Sequence, residues 1–310
     1  MRIIAIANQK GGVGKTTTTV NLAAALAQVG KRVILMDLDP QAHLTTFFGL
    51  DPNQIERSCH DLLTKSPPLD QCLIQVRQNM KLLPSGIDLA AAEQELVAVV
   101  GRETILRDAI DQYDHPCDYV FIDCPPSLGL LTLNAFGGAR EVFIPLQPHF
   151  LSLQGLSQLL EMLLLVHKRI NPQLRVSGLL FCMYDARTSL SAEISSDIET
   201  FFAQQAGRES PWEGICIFKR RIRRNVKLAE SPSYGKSIFE YEPNCHGAED
   251  YMALAQEVLA MEDRPNAASQ QTPSLPVSQV AKADPATIIA IPEPDQPLPV
   301  PRLRVADAVD

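Results

Sequence analysis

Residues 8–17 read NQKGGVGKTT, a glycine-rich stretch whose flanks predict a connection from a buried strand to a helix. Residues 3–8 are apolar and β-branched, which is typical of a buried strand. Residues 16–29 favour a helix, and Gly30 follows them where a helix C-terminus is expected. A strand, a glycine turn and a helix N-terminus direct backbone N–H groups and the positive end of the helix dipole toward one point. This order predicts an anion site.

The stretch matches the phosphate-binding pattern G-x-x-x-x-G-K-[ST] except at its first position, where the chain has Gln9. Gly14, Lys15 and Thr16 complete the pattern. Lys15 can therefore reach the β- and γ-phosphates of a nucleotide, and the Thr16 hydroxyl can ligate Mg²⁺. A second lysine, Lys10, precedes the glycines. Because one lysine is enough to hold a phosphate chain, Lys10 needs a separate explanation.

Two later segments supply carboxylates where strands are predicted to end. Residues 37–41 read DLDPQ, and the alternation of side chains along a strand puts Asp37 and Asp39 on one side. The apolar run at 120–123 ends in Asp123, which favours a second anchor for Mg²⁺. Carboxylates beside a magnesium–triphosphate can hold the metal's water shell or orient an attacking water. The alternative for the DLDPQ segment is a solvated turn before proline.

Strand and helix patterns alternate as far as residue 262. Further strands are predicted at 31–39, 80–85, 118–126, 140–148, 174–185 and 215–218, and helices from Leu128 and at 151–170 and 248–262. Alternation of this kind predicts an α/β fold, a P-loop three-layer arrangement with a mostly parallel twisted sheet covered by helices on both faces. Ligands of such sheets bind at the carboxyl ends of the strands.

Composition limits the remaining classes of protein. The chain has 310 residues, 45% of them apolar, but no uncharged apolar run of about 18 residues that would span a membrane. Its seven cysteines form no C-x-x-C pair, which favours reduced thiols in a cytoplasmic protein over zinc, iron–sulfur or disulfide sites. Nine of the 23 prolines follow Arg264. We therefore predict a domain at 1–263 and a disordered proline-rich tail at 264–310.

The charge pattern contains one local exception. The net charge is −8, which argues against a protein that coats nucleic acid over its whole surface. Residues 218–224 nevertheless read FKRRIRR. We call residues 219–224 the basic run, and it is a candidate surface for the phosphate backbone of DNA, which requires no base readout. The alternative is a solvated loop whose charges pair with nearby acids.

Taken together, the motifs resemble the ParA/Soj family of deviant-Walker ATPases, within the wider ParA/MinD class. The resemblance covers roughly residues 2–262 and rests on KGGVGKTT, DLDPQ and FIDCPPS, with MYDART at 183–188 and RNVKLAESPSYGK at 224–236. It implies ATP and Mg²⁺ as cofactors, ATP-dependent homodimers and non-specific binding of double-stranded DNA. It also implies slow hydrolysis of ATP to ADP and phosphate, stimulated by a ParB-like partner during chromosome or plasmid partitioning at the nucleoid.

The family's residue roles carry over by position. Lys15 matches the phosphate-loop lysine, Asp39 the acid that activates water, and Lys10 the signature lysine that reaches the nucleotide of the partner subunit. These three are the predicted catalytic residues. The predicted magnesium residues are Thr16, Asp37 and Asp123. The predicted nucleotide-binding residues are Lys10, Gly11, Gly12, Val13, Gly14, Lys15, Thr16 and Thr17, with Arg223 and Asn225 at the base.

The base and DNA residues come from the end of the matching region. Asn225 keeps the family's asparagine, but Arg223 stands where the family has proline. Arg187 and Arg224 match family arginines that contact DNA, which makes the predicted DNA set Arg187, Lys219, Arg220, Arg221 and Arg224. Two alternatives stay open. One is a related ATPase that positions another cargo. The other is a MinD-like membrane ATPase, which would need a basic amphipathic C-terminal helix, whereas residues 248–262 are acid-rich.

Overall fold

The computed structural model describes residues 1–205, 207 and 209–262, without the side chains of residues 150 and 151. The predicted tail at 264–310 lies outside the described residues. Within them, eight strands form one sheet in the order β3-β4-β2-β5-β1-β6-β7-β8. The strands are β1 Arg2–Ile6, β2 Val33–Asp37, β3 Ile74–Arg77, β4 Met80–Leu83, β5 Tyr119–Asp123, β6 Glu141–Leu146, β7 Arg175–Phe181 and β8 Cys216–Ile217.

The sheet is parallel except for the β3–β4 pair. Every residue of β2 and β5 is buried, because helices cover both faces of the sheet. The strand register aligns Ile6 with Asp123, and Asp123 with Asp37. The carboxyl ends of β1, β2 and β5 are therefore neighbours, and the chain segments that leave them meet at one edge.

Eleven α-helices connect and cover the described strands. They are α1 Lys15–Gln28, α2 His43–Phe47, α3 Cys59–Lys65, α4 Leu89–Glu95, α5 Ile105–Asp111, α6 Leu130–Gly138, α7 Phe150–Arg169, α8 Ser189–Gln204, α9 Val226–Glu230, α10 Ile238–Tyr241 and α11 His246–Ala260. The buried apolar side chains form two clusters. One contains Leu26 of α1 and Leu254 of α11, and the other contains Leu159 of α7 and Ile198 of α8. The fold is thus the predicted three-layer α/β arrangement.

The first helix begins and ends on glycines with left-handed backbone. Gly14 caps its N-terminus at φ 94°, with no side chain accepting a hydrogen bond there and no acid in the first turn. Gly30 follows its C-terminus at φ 87°, and the backbone N–H of Gly30 donates to the carbonyl of Ala27 at 3.0 Å. Only glycine adopts this backbone without strain, so the predicted helix boundary at Gly30 is confirmed.

The last described helix, α11, ends near the amino ends of β1 and β5. The glycine loop lies at the other end of these strands, where their carboxyl ends meet. Two residues beyond α11, the Glu262 carboxylate pairs with Lys31 at 3.0 Å and accepts a hydrogen bond from the Tyr119 hydroxyl. Arg2 also lies against the Tyr119 ring, 5.7 Å from its centroid. These contacts fix where the described part of the chain ends, on the side of the sheet away from the glycine loop.

Candidate nucleotide and magnesium site

The glycine loop lies between β1 and α1, as its flanking patterns predict. Gly12 has φ 72°, a backbone conformation that favours glycine. A Cβ atom at this position would meet no other atom within 4 Å, so the reason for glycine is the backbone conformation and not a lack of room. Asn8 anchors the start of the loop. Its side-chain amide donates to the Pro145 carbonyl of β6 at 2.7 Å, and its oxygen accepts from the backbone N–H of Lys10 at 3.0 Å.

A cavity of about 600 Å³ lies beside this loop, within the range of small-molecule sites. Its lining includes several predicted residues: Gly11, Gly12, Gly14, Lys15, Thr16, Thr17 and Asp39. It also includes residues that sequence reasoning missed: Gln41, His43, Thr46, Phe47, Pro126, Met183, Pro232 and Ser233. Gln41, Pro126, Met183, Pro232 and Ser233 lie within motifs that support the family resemblance, but those motifs did not assign them to the cavity. His43, Thr46 and Phe47 belong to α2, which contains none of these motifs. Val13 is buried and does not line the cavity.

Lys15 is the buried cation of the cavity. Its side chain is enclosed, and the ammonium donates to the Lys10 carbonyl at 3.3 Å. Burial lowers the pKa of Lys15, and the Asp123 carboxylate opposes this effect. Because the lysine begins α1 among the backbone N–H groups of the loop, a phosphate group would meet both a helix N-terminus and a poorly solvated cation.

The predicted magnesium ligands Thr16 and Asp123 are in direct contact. The Thr16 hydroxyl donates to Asp123 Oδ2 at 2.6 Å. Asp123 is buried at the end of β5, and burial, together with the charge of Asp37, raises its pKa. Mg²⁺ prefers oxygen ligands, and this pair offers a hydroxyl and a carboxylate. A bound cation would stabilise the ionised form of Asp123, which burial disfavours, so the pair is chemically suited to Mg²⁺.

Asp37 lies directly beside Asp123 in the strand register but does not line the cavity. It is fully buried and accepts hydrogen bonds from the Thr45 backbone at 2.8 Å and the Thr45 hydroxyl at 2.7 Å. Burial raises the pKa of Asp37 to about 7 in spite of these bonds. No cluster of three or more His, Cys, Asp or Glu side chains forms a metal cage among the described residues. Mg²⁺ suits this arrangement, since it commonly takes one or two carboxylates and completes its shell with phosphates and water.

Asp39 differs from Asp37 because it faces the cavity. Its Oδ1 accepts from the Gln41 backbone at 3.0 Å, which is the side-chain turn that the alternative interpretation predicts. Gln41 is exposed to solvent, but the acid is not. Asp39 is buried, and its carbonyl accepts from the Ser85 hydroxyl at 2.9 Å. A carboxylate held in this way beside a phosphate site can orient or deprotonate a water.

Lys10 is not among the residues that line the cavity. Its ammonium contacts Nε2 of His149, the residue that caps the N-terminus of α7. Burial and the charge of Lys10 lower the pKa of His149, so the imidazole is neutral near pH 7 and can accept from the ammonium. The two lysines of the loop therefore have different surroundings.

The two residues predicted at the base do not line the cavity. Arg223 donates to Asp250, whose side chain is fully buried, at 2.7 Å and to Glu249 at 3.0 Å. Asn225 caps α9 by accepting from the Lys227 backbone at 2.8 Å. The Arg223 side chain thus forms ion pairs with two acids of α11. Base contact by either residue stays a prediction.

The basic run divides into paired and unpaired cations. Arg220 shares Asp250 with Arg223 at 3.3 Å, and Arg221 pairs with Glu199 at 3.4 Å while lying 4.4 Å from the ring centroid of Tyr184. In the described part of the chain, the side chains of Lys219 and Arg224 form no hydrogen-bonded ion pair. The pairing alternative therefore describes part of the run.

Arg187 lies close to the basic run but has its own acidic partner. Its side chain is 89% exposed and donates to both oxygens of Asp185, at 2.9 and 2.7 Å. Hydrogen bonds from Arg187, and the nearby charge of Arg224, hold the pKa of Asp185 well below its usual range. An exposed pair of this kind is worth little, so Arg187 is available to another anion.

Comparisons with known proteins agree with this geometry. The AAA domain family matches residues 1–176. The sporulation initiation inhibitor protein Soj of Bacillus subtilis is 44% identical over 260 residues, which cover 84% of this chain and 98% of that protein. The chromosome partitioning protein ParA of Caulobacter vibrioides is 40% identical over 265 residues, 84% of this chain and 95% of that one.

A solved structure extends the comparison to bound ligands. Cobyrinic acid a,c-diamide synthase from Mycobacterium smegmatis, with bound ADP and magnesium, is 35% identical, with a TM-score of 0.72. The match covers 86% of this chain and 97% of that one. No described helix is long and apolar enough to cross a membrane. On the identities of its full-length relatives, this chain belongs to the ParA/Soj family of partitioning ATPases.

Proposed function

We propose that this protein hydrolyses ATP to ADP and phosphate with Mg²⁺ as cofactor. The cavity beside the glycine loop, the buried ammonium of Lys15 and the Thr16–Asp123 contact support this assignment. Thr16 and Asp123 would hold the cation, directly or through water, with Asp37 behind them. Mg²⁺ would neutralise charge on the β- and γ-phosphates. Asp39 is the residue suited to orienting the attacking water, because it alone of the three acids lines the cavity.

The observation that carries the rest of the proposal is the difference between the two loop lysines. Lys15 serves the cavity of its own chain, whereas Lys10 contacts His149 outside it. A loop lysine that does not line the cavity of its own subunit suits the family's action across a dimer. Phosphoryl transfer needs cations where negative charge accumulates, so a lysine from a second subunit makes hydrolysis conditional on assembly.

Dimerisation would also strengthen the binding of DNA that we propose. Two-fold pairing doubles every exposed cation, so Lys219, Arg224 and Arg187 can bind the DNA backbone through many weak contacts. We infer a cytoplasmic, nucleoid-associated homodimer that binds double-stranded DNA without sequence preference. A ParB-like partner would stimulate its slow hydrolysis and couple it to chromosome or plasmid partitioning.

A mixing experiment tests the action of Lys10 across the dimer. The variants K10A and D39A should each hydrolyse ATP poorly. In a mixed dimer, the nucleotide on the K10A chain has an intact Asp39 and receives Lys10 from the D39A chain. An equal mixture should therefore recover about a quarter of the wild-type rate, since half the dimers are mixed and each has one complete site.

The matched control replaces Lys168, an exposed lysine in the last turn of α7. K168A should hydrolyse ATP like the wild type, alone and in mixtures. If a mixture of K10A and D39A is no more active than the separate variants, Lys10 does not act on a nucleotide bound by the other subunit.

A further inference from the structure

A second cavity lies at the opposite edge of the sheet from the nucleotide site. This cleft measures about 380 Å³ and opens beside the beginnings of β2 and β5. The residues that give it its chemistry are Arg32, Lys81, Tyr113, His115, Pro116 and Cys117. None of them belongs to the glycine loop, the acidic site or the basic run. Neither the family resemblance nor the proposed ATPase cycle gives the cleft a task.

The lining of the cleft combines cations with aromatic surface. The rings of Tyr113 and His115 meet edge to face, with centroids 5.3 Å apart. Arg32 already pairs with Asp118 at 3.0 Å, but the half-buried Lys81 makes no ion pair among the described residues. No acid lines the cleft in the described part of the chain. A proline-rich segment with acidic residues fits such a groove, because polyproline helices dock on aromatic surface and the acids would face the lysine.

The described chain ends next to this cleft. Glu262 pairs with Lys31, which immediately precedes the cleft residue Arg32. The chain continues for 48 residues beyond Glu262. Those residues therefore begin beside the cleft, and far from the nucleotide cavity at the other edge of the sheet.

We propose that residues 291–299 of the same chain, IPEPDQPLP, dock in this cleft. The segment contains four prolines, and its two acids, Glu293 and Asp295, complement Lys81. With random-coil statistics, a spacer of 28 residues (263–290) would have a root-mean-square span of roughly 30 Å, which is ample for a cleft beside the exit point. Tethering gives an effective concentration on the order of millimolar, so even a weak contact is substantially occupied.

Cys117 provides a readout inside the cleft, and Cys245 provides a matched control. Both thiols are free and half-buried. Cys245 precedes α11, whose 15 residues separate it from the cleft edge by about 22 Å. Maleimide labelling of the full-length protein at one fixed pH, followed by peptide mass spectrometry, gives the rate at each thiol. The tail variant E293K/D295K should label roughly two- to tenfold faster than the wild type at Cys117 and equally fast at Cys245.

A charge-swap series makes the test specific. K81E should also expose Cys117, and combining K81E with E293K/D295K should restore slow labelling. Equal rates at Cys117 in the wild type and the tail variant would overturn the proposal. Protection that grows with protein concentration would overturn it as well, because the occupant would then be the tail of a second copy. ATP hydrolysis by E293K/D295K should match the wild type, which separates this inference from the proposed function.

Discussion

The nucleotide site and the basic run both concentrate charge, but they balance it differently. In the nucleotide site, Asp37 and Asp123 are buried side by side, and burial raises the pKa of both. In the basic run, Arg220 and Arg223 share the buried carboxylate of Asp250. The nucleotide site thus places two carboxylates side by side, where a bound cation would reduce their mutual repulsion. Much of the basic run, in contrast, is neutralised by acids within the fold. Local charge density is therefore a poor guide to which residues meet a ligand.

Replacing Lys15 should have the largest effect in the nucleotide site. K15Q removes the only lysine in the cavity lining of the described chain, so ATP affinity should fall on the order of a thousandfold or more. Isothermal titration with Mg-ATP measures the loss. Sedimentation should detect no ATP-dependent dimer. ATP-dependent dimers of K15Q would place the nucleotide somewhere other than beside the glycine loop.

Replacing Asp39 should separate binding from turnover. D39A leaves Lys15, Thr16 and Asp123 intact, so ATP should still bind and the dimer should accumulate. Hydrolysis should slow by roughly 10²- to 10⁴-fold, the range typical of a lost general base. Single-turnover ATPase rates and sedimentation with ATP measure the two effects. Normal turnover in D39A would remove this residue from the proposed water-activating role.

The basic run allows a matched pair of variants that carry the same change in charge. R187A/R224A should weaken DNA binding about tenfold in moderate salt and flatten its salt dependence, because exposed contacts to phosphate are lost. R220Q/R223Q should instead lower the free energy of unfolding by about 2 kcal/mol, since buried Asp250 would keep the backbone N–H of residue 223 but lose both charged partners. Gel shifts across a salt series and chemical denaturation give both measurements. The reverse pattern would contradict the division between paired and unpaired cations.

The nucleotide-free protein should also show a pH dependence of stability that arises from the nucleotide site. Burial raises the pKa of Asp37 to about 7, above the roughly 3.9 expected in the unfolded chain. The folded state then holds the proton more tightly, so the free energy of unfolding should fall as pH rises from about 4 to 7. The slope from this group should approach but not exceed about 1.4 kcal/mol per pH unit. Denaturation of the wild type and D37N compares the slopes, and equal slopes would rule out Asp37 as the source.

Sequence patterns predicted the parts of this protein in which local spacing determines geometry. Strands β1, β2 and β5 and the turn into α1 follow from short apolar runs and glycines, so the meeting of Thr16 with Asp123 was predictable. The four-residue edge strand β3 was missed, and so were the helices α2, α3, α4, α8, α9 and α10. In β3 no residue is fully buried, so its sequence has no strong apolar pattern.

Contacts between distant segments were beyond the same reasoning. Met183 and Pro232 line the nucleotide cavity only because the ends of β7 and α9 converge there. Arg223 pairs with Asp250, which lies 27 positions further along on α11. A run of arginines does not indicate which of them have acidic partners elsewhere in the chain, and only the packing of α11 against the sheet decides this.

The bare N-terminus of α1 has a thermodynamic consequence. Gly14 offers no side chain to the first backbone N–H groups, and no acid of the first turn balances the helix dipole. A bound phosphate would take both roles, so the nucleotide would act as the missing helix cap. Mg-ATP at a hundred times its Kd would add about 2.7 kcal/mol to folding stability by mass action. The melting temperature of this protein would then follow the ATP concentration around it.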